Sequence, residues 1–500
     1  MFKNTSAAQQ EARAAVQLPP GGVVSRLTLW VDGEEREAAF AGRGQTRQAY
    51  QQVVRTRRDP VLVTTSGRDR VLVQCFPVPP DGGEMKIRFG VTAPLAPEDR
   101  INRVLRLPYF LDRNFGIPDH MTHAVWFEAK NPLGTAETAL KPGQPKPGLY
   151  DLRGDLKDDE LSEADSSIRA RSSGGAAEAW AQDTIRNDGS VIRQFVSEEV
   201  VARPSRIVLV IDTSRRVGRL REQVADALKT LPPGVELQLL PAGGNGVNEE
   251  GASLPASSNP EEVAGLARRL AFEGGADNVE ALGRAWDVAA ETPGGVVVWV
   301  HGPQPFLLRT VEELRQRWER RPDGPTVYAV QTEVGPDRVS EKLDGVAGVE
   351  RVQRVGHLQS DLENLFARLD GRKKELRFVR VRESARRAFA TETAATAKET
   401  SSHLARLWAN DEVALMLSDR AKDRKEEAVE LAALYQLVTP VSGAVVLETQ
   451  EQYRQAGLQP VEAGSVPTIP EPETVLLLAV AAAILAFMFV RGRPARRSAT

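Results

Sequence analysis

The side chains best placed to do chemistry sit at the end of one apolar run. Residues 206–214 read Arg206-Ile-Val-Leu-Val-Ile-Asp212-Thr-Ser214, an unbroken apolar stretch closed by a carboxylate and a hydroxyl. Such a run suits a strand buried on both faces of a parallel sheet. Its polar residues then lie at the carboxyl end, where open α/β sheets bind ligands. Asp277, within Gly274-Gly-Ala276-Asp277-Asn278, and His301, within Gly295-Val-Val-Val-Trp-Val-His301-Gly302, follow at intervals that leave room for helices. Carboxylates and hydroxyls are hard oxygen ligands, of which a magnesium ion takes about six in a near-octahedral shell. Arg216 puts a positive charge into the same segment.

Other chemistry is thinner. Asp119-His120 and His123 are spaced so that two imidazoles could meet, but no further metal ligands accompany them, and surface or packing roles are expected. Gly243-Gly-Asn-Gly246 lacks the Lys and Ser/Thr of a phosphate-binding P-loop and reads as a surface turn. Neither a Gly-x-Ser-x-Gly elbow nor a His-Glu-x-x-His zinc motif occurs, and no other spacing picks out a catalytic site. The single cysteine, Cys75, excludes an intrachain disulfide and a multi-cysteine metal site; a small core residue is expected there. A net charge of -3 gives no bulk basic field, which argues against a nucleic-acid partner.

The elements that must position these residues divide the 500-residue chain into several domains, at roughly 100–200 residues each. Residues 1–95 carry short β-like runs between turns at Pro19-Pro-Gly-Gly, Asp32-Gly33 and Pro79-Pro-Asp-Gly-Gly. Among them a polar segment at 43–58 reads as helical, with Tyr50, Val53 and Val54 as its buried contacts. Residues 96–205 form a β-rich connector in which 155–178, rich in Asp, Glu, Ser and Gly, is expected to be a mobile loop. Over 206–371 strands and helices alternate, with helices near 220–228, 260–270, 279–290, 310–320 and 361–369. Asn259 is placed to cap the helix that opens with Pro260. This alternation implies right-handed crossovers and a mainly parallel, doubly wound sheet. Residues 372–460 return to β and then a helical hairpin, with Leu431, Leu434 and Tyr435 on one face. The expected class is multidomain, α+β and α/β.

Three resemblances follow from quoted residues. Leu18-Pro-Pro-Gly-Gly-Val-Val24, the Trp30-Val-Asp-Gly-Glu turn, Ala49-Tyr50 before a basic run and Cys75-Phe-Pro-Val-Pro-Pro80 resemble the VIT domain (vault protein and inter-alpha-trypsin inhibitor type). In that family a strand precedes the Phe2-Lys3-Asn4 segment. Its absence implies an unpaired sheet edge, and upstream residues holding a strand and an export signal; a cytosolic protein with a shorter VIT domain is the alternative. The run 206–302 resembles the von Willebrand factor A domain, a Rossmann-type fold whose metal-ion-dependent adhesion site uses Asp-x-Ser-x-Ser, a Thr and a late Asp. Asp212 and Ser214 match, and Asp277 stands nearby, but Arg216 replaces the second Ser, Ala276 the Thr and His301 the late Asp. These losses imply a domain that holds no metal. Arg216 then either replaces the ion's charge, facing Asp212 and Asp277, or is a solvated loop residue. Leu404-Ala-Arg-Leu-Trp408-Ala, Tyr435-Gln-Leu-Val-Thr-Pro440 and Val445-Val-Leu-Glu448 resemble the segment that follows the A domain in inter-alpha-trypsin-inhibitor heavy chains and bacterial VIT proteins.

The tail is a separate signal. A linker at 461–474 carries Pro470-Glu471-Pro472, an unbroken apolar run extends from Val475 to Val490, and Arg491, Arg493, Arg496 and Arg497 mark a basic end at 491–500. As a helix the run spans about 24 Å, against a hydrocarbon core of about 30 Å, and flanking arginines snorkel to make up the difference. The positive-inside rule keeps the basic end in the cytoplasm and the body outside. The trio resembles the PEP-CTERM sorting signal of bacteria, which implies an exosortase-type enzyme as partner and transfer to the envelope or exterior; a plain single-span inner-membrane anchor is the alternative.

The function expected is that of a non-enzymatic envelope protein without cofactor, whose VIT and A-type domains bind another protein or an extracellular polymer. Two rivals stand beside it. One is a magnesium- or manganese-dependent adhesin with a weakened site at Asp212, Ser214 and Asp277; the other is a hydrolase using Asp212, Asp277 and His301.

Overall fold

The apolar run ending in Asp212 is the strand Arg206–Asp212, every residue of which after Arg206 is buried. In the computed structural model it lies inside a five-stranded sheet. The order is Glu236–Ala242, Arg206–Asp212, Val296–His301, Val327–Gln331 and Val349–Arg351, parallel throughout. The residues described are 1–55, 60–99, 101–143, 148–171, 178–231, 234–243, 255–274, 276–388, 398–418 and 423–462. Met1–Pro460 forms one compact unit. The other, Val461–Thr500, has described residues only at Val461 and Glu462. The Pro470–Glu471–Pro472 motif, the run from Val475 to Val490 and the terminal arginines therefore lie outside the described residues. Among the described residues no helix is long and apolar enough to cross a membrane.

Alternate residues of the first parallel strand face opposite layers, as a period of two requires. Ile207, Leu209 and Ile211 pack with Val224, Leu228, Val263, Leu362 and Phe366 from the helices Arg221–Leu228, Pro260–Arg269 and Leu358–Leu369. Val208 and Val210 pack with Leu282, Trp286, Leu314 and Trp318 from Val279–Ala290 and Glu312–Arg320. Helices thus cover both faces, and the expected doubly wound layout is present. Asn259 caps its helix by accepting from Glu261 N at 3.1 Å, with Pro260 next in sequence.

The N-terminal region is β-rich as expected, with helix Arg43–Arg55 burying Ala49, Tyr50 and Val53. Its main sheet, however, recruits strands from two other regions. The order is Tyr109–Arg113, Gln10–Gln17, Arg70–Val78, Val61–Gly67, Ser442–Val446, Ala39–Gly42, all antiparallel. The edge expected to be unpaired is filled: Gln10–Gln17 pairs with the connector strand Tyr109–Arg113, and Phe2–Asn4 pairs with Gly83–Met85. Cys75 is fully buried in this sheet.

Further expectations need correction. Residues 372–460 are not a separate module. Their strand Ser442–Val446 is internal to the N-terminal sheet, and Glu375–Ser384 pairs along its length with the connector strand Ser190–Glu199. The acidic stretch at 155–178 is built over its first part. Tyr150–Leu156, the short turn Glu160–Ser162 and Ile168–Arg171 are regular, and Leu156, Leu161 and Ile168 sit in a small core with Leu107, Leu140 and Leu152. In the hairpin of His403–Ser418 and Lys425–Leu434, Leu431 and Tyr435 are buried, but Leu434 is 45% exposed.

Candidate functional site

The order of the parallel strands places a switch point beside Arg206–Asp212. The chain leaves that strand to add Glu236–Ala242 on one side, then returns to add Val296–His301 on the other. Ligand crevices of open α/β sheets form at such a point, outside the carboxyl ends of the strands. Asp212, Ser214 and Gly302 converge there.

Asp212 is buried, and both its oxygens are occupied. Oδ1 accepts Ser214 N at 2.8 Å; Oδ2 accepts Gly302 N at 3.0 Å and Gln304 Nε2 at 3.1 Å. An ionised carboxylate offers about four lone-pair sites, so little capacity is left for an ion. Gln304 is buried and bridges onward, its Oε1 accepting Asn278 N at 3.1 Å; Asn278 Oδ1 accepts Trp299 Nε1 at 2.9 Å. Thr213 donates both N and Oγ1 to Ala242 O, at 2.7 and 2.8 Å, which ties the strand ends together. The result is a latch of charge-assisted and neutral hydrogen bonds across the crevice.

The remaining positions take other roles. Ser214 is half-buried beside the site and precedes the short helix Arg215–Gly218 without a side-chain cap bond. Ala276 is exposed and brings no oxygen. Arg216 does not face Asp212 or Asp277: its Nη1 pairs with Glu333 Oε2 at 3.5 Å, and its side chain is 68% exposed. The idea that it replaces an ion's charge at Asp212 is overturned, because the N–H donors above already meet that carboxylate. Asp277 turns outward. Its Oδ2 accepts Arg309 N at 2.8 Å and Leu308 N, and its Oδ1 accepts Val279 N at 3.3 Å. It thereby clamps the loop after Val296–His301, on which Phe306 and Leu308 are 77% and 68% exposed.

His301 is buried, stacked on Trp299 at 3.6 Å and 15°. Its Nδ1 lies 2.9 Å from Gly302 O, which makes Nδ1 the protonated nitrogen, and Nε2 is 4.0 Å from Asp337 Oδ2. Burial pushes the imidazole below its ordinary value, and the Asp337 carboxylate only partly offsets this. A hydrolytic triad would need a nucleophile on that ring, and among the described residues its partners are the Gly302 carbonyl and the Asp337 carboxylate. Among the described residues, no group of three or more His, Cys, Asp or Glu is arranged to hold a metal ion. An adhesion-site cation does not fit this donor set: two hydroxyls and a carboxylate are replaced, and the surviving Asp212 is engaged by three N–H groups. His120 and His123 do not pair either; His123 Nε2 lies 3.1 Å from Asp158 Oδ1, and His120 is exposed.

Sequence reasoning missed Gln304, Asn278 and Asp337. The signal for Gln304 was its place between Pro303 and Pro305, just past the end of a buried strand, where a polar side chain has few directions but back over the crevice.

Residues 1–91 match the family model described as "Vault protein inter-alpha-trypsin domain". No curated protein matches the chain. Among solved structures, a von Willebrand factor type A protein from Catenulispora acidiphila is 14% identical over 39% of this chain and 47% of its own, with a TM-score of 0.27. Proximal thread matrix protein 1 from the mussel byssus, solved with a zinc-occupied MIDAS motif, is 11% identical over 35% of this chain and 48% of its own, at a TM-score of 0.25. The SpRpn10 VWA domain is 12% identical over 33% of this chain and 95% of its own, at 0.25. The match spans about half the length of the first two. The doubly wound assignment rests on the strand order above.

Proposed function

We propose that this chain is a non-enzymatic interaction protein that presents the carboxyl end of its parallel sheet to a protein partner without a bridging metal ion. The observation that carries this reading is the loop clamped by Asp277, which holds Phe306 and Leu308 out into solvent. Exposed Arg215, Arg216 and Arg219 lie on the segment that follows Ser214, and Arg309 on the loop itself. Aromatic and arginine side chains are the residue types enriched in binding surfaces. Folding spends the Asp212 carboxylate on closing the crevice, so affinity has to come from this rim. The test is retention of the full chain on envelope preparations. Retention that persists in chelator and is lost in a Phe306→Asp, Leu308→Asp double variant supports the proposal. Retention that requires magnesium or manganese and disappears in Asp212→Ala restores the adhesin instead.

The same proposal places the body outside the inner membrane, held by the run from Val475 to Val490 or released after processing at Pro470-Glu471-Pro472 by an exosortase-type enzyme. What supports it is the order of motif, apolar run and arginines in the sequence. Mass spectrometry of the mature chain from fractionated cells decides: an intact tail in the inner membrane means an anchor, a terminus near Pro472 means sorting, and an intact chain in the cytoplasm overturns both.

A further inference from the structure

A cleft of about 570 Å³ opens where three regions meet, with His301 and Asp337 at one side of it. The N-terminal sheet contributes Arg70 from its Val61–Gly67 to Arg70–Val78 hairpin, the connector contributes Arg106 and Tyr109, and the parallel sheet's edge contributes Arg351 and Arg354. Their guanidiniums are close enough to matter to one another: Arg354 acts on Arg106, and Arg70 on Arg351, each adding to the burial that lowers the neighbour's affinity for its proton. Converging like charges are costly unless an anion is drawn among them.

The question is which of these charges are already met. Arg354 pairs with Asp361 at 2.7 Å and also donates to the Gln331 and Thr332 carbonyls. Arg351 pairs with Asp344 at 2.6 Å, and Arg70 reaches Glu341 at 3.5 Å. Arg106 differs. It donates to Ser167 Oγ at 3.2 Å and to the Ser162 carbonyl, both neutral; the Asp361 and Glu163 carboxylates act on it, but among the described residues none lies within ion-pair distance. Beside it the Tyr109 hydroxyl makes no hydrogen bond among the described residues, and Arg70, Arg106 and Arg354 all act on it. Burial outweighs those cations and keeps the phenol protonated, so it remains a donor.

We propose that this cleft binds a small organic anion, its carboxylate or phosphate group held by Arg106 and the Tyr109 hydroxyl between Arg70 and Arg354. The volume is that of a small-molecule site, and charge-assisted bonds to a guanidinium fork supply orientation. Leu18 and Leu107 give the cleft an apolar wall for the remainder of the ligand. Glu163, Glu333, Asp69 and Asp337 also line it, which selects one compact anionic group over an extended polyanion. The anion-holding groups are none of those proposed for the rim around Phe306, although Glu333, the partner of Arg216, also lines the cleft.

The experiment is calorimetric titration of the full chain with inorganic phosphate and, separately, with glucuronate. Saturable binding of one or both is expected, weakened about tenfold or more in Arg106→Met and severalfold in Tyr109→Phe, and unchanged in Arg309→Met. Tyr109→Phe removes one oxygen and preserves the packing, so it reports even if Arg106→Met fails to fold. Binding of phosphate alone assigns a phosphate ester; binding of glucuronate alone assigns a carboxylate. Flat titrations with both anions, or binding that neither cleft variant weakens, would overturn the proposal.

Discussion

A buried carboxylate must replace the water it has lost, either with an ion or with a set of N–H donors. Asp212 has taken the second course. The same logic governs His301, which is buried against Trp299. There the neutral imidazole is favoured, and its value falls below the ordinary 6.5 because of burial. The sign follows from linkage: just below the ordinary value the unfolded chain takes up a proton that the native ring refuses. His301 therefore contributes stability that is present above about pH 6.5 and is lost as pH falls through that value toward the depressed native one. Asp69, Asp344 and Glu350 are raised by burial and act in the opposite sense. Comparing the wild type with His301→Gln removes their contribution. On acidification from about pH 8 to about pH 5 the wild type should lose more stability than the variant in urea denaturation; parallel curves would show that the ring does not titrate with folding.

At the level of elements, the strand Ser442–Val446 is the unexpected part. All of its residues are buried, and it pairs with Ala39–Gly42 on one side and Val61–Gly67 on the other. Gly443 is required there: a Cβ would stand 2.6 Å from Thr46 Oγ1 and 3.2 Å from the Val63 carbonyl. Without this strand, two neighbours expose unpaired N–H and C=O groups, a configuration prone to aggregation. A fragment of residues 1–95 should therefore be unstable or aggregated by circular dichroism and size exclusion, and a peptide covering 437–460 should restore a cooperative unfolding transition. A fragment that unfolds cooperatively alone, with no gain from the peptide, would show the inserted strand to be dispensable. Apolar spacing placed helices near 220–228, 260–270 and 279–290, where the structure has Arg221–Leu228, Pro260–Arg269 and Val279–Ala290. It did not reveal that Leu434 points outward, since a short helix offers too few turns to fix which flank is covered.

Across the whole molecule, sequence order and spatial order part company. The N-terminal, connector and C-terminal regions interlock through shared sheets, whereas the five strands of the parallel sheet all come from the one stretch between Arg206 and Arg351. That region was legible because strands buried on both faces must be runs of apolar residues, and the helices between them must repeat every three to four positions. Asp212 and Ser214 were legible too, as the polar punctuation at the end of a buried run, whereas Gln304 and Asn278, which complete the crevice, were not. The sequence by itself thus determined the doubly wound core, the N-terminal family likeness and the position of Asp212 at a strand's carboxyl end. Only the tertiary structure decided what meets that carboxylate, for Gly302 N and Gln304 Nε2 come from 90 and 92 residues away. It also decided which strands close the N-terminal sheet. Gly302 N and the strand pairings share one reason: backbone N–H and C=O groups are the same at almost every residue, so pairing through them leaves little trace in residue type. The Gln304 side chain reaches Asp212 only because the fold brings two distant strand ends together.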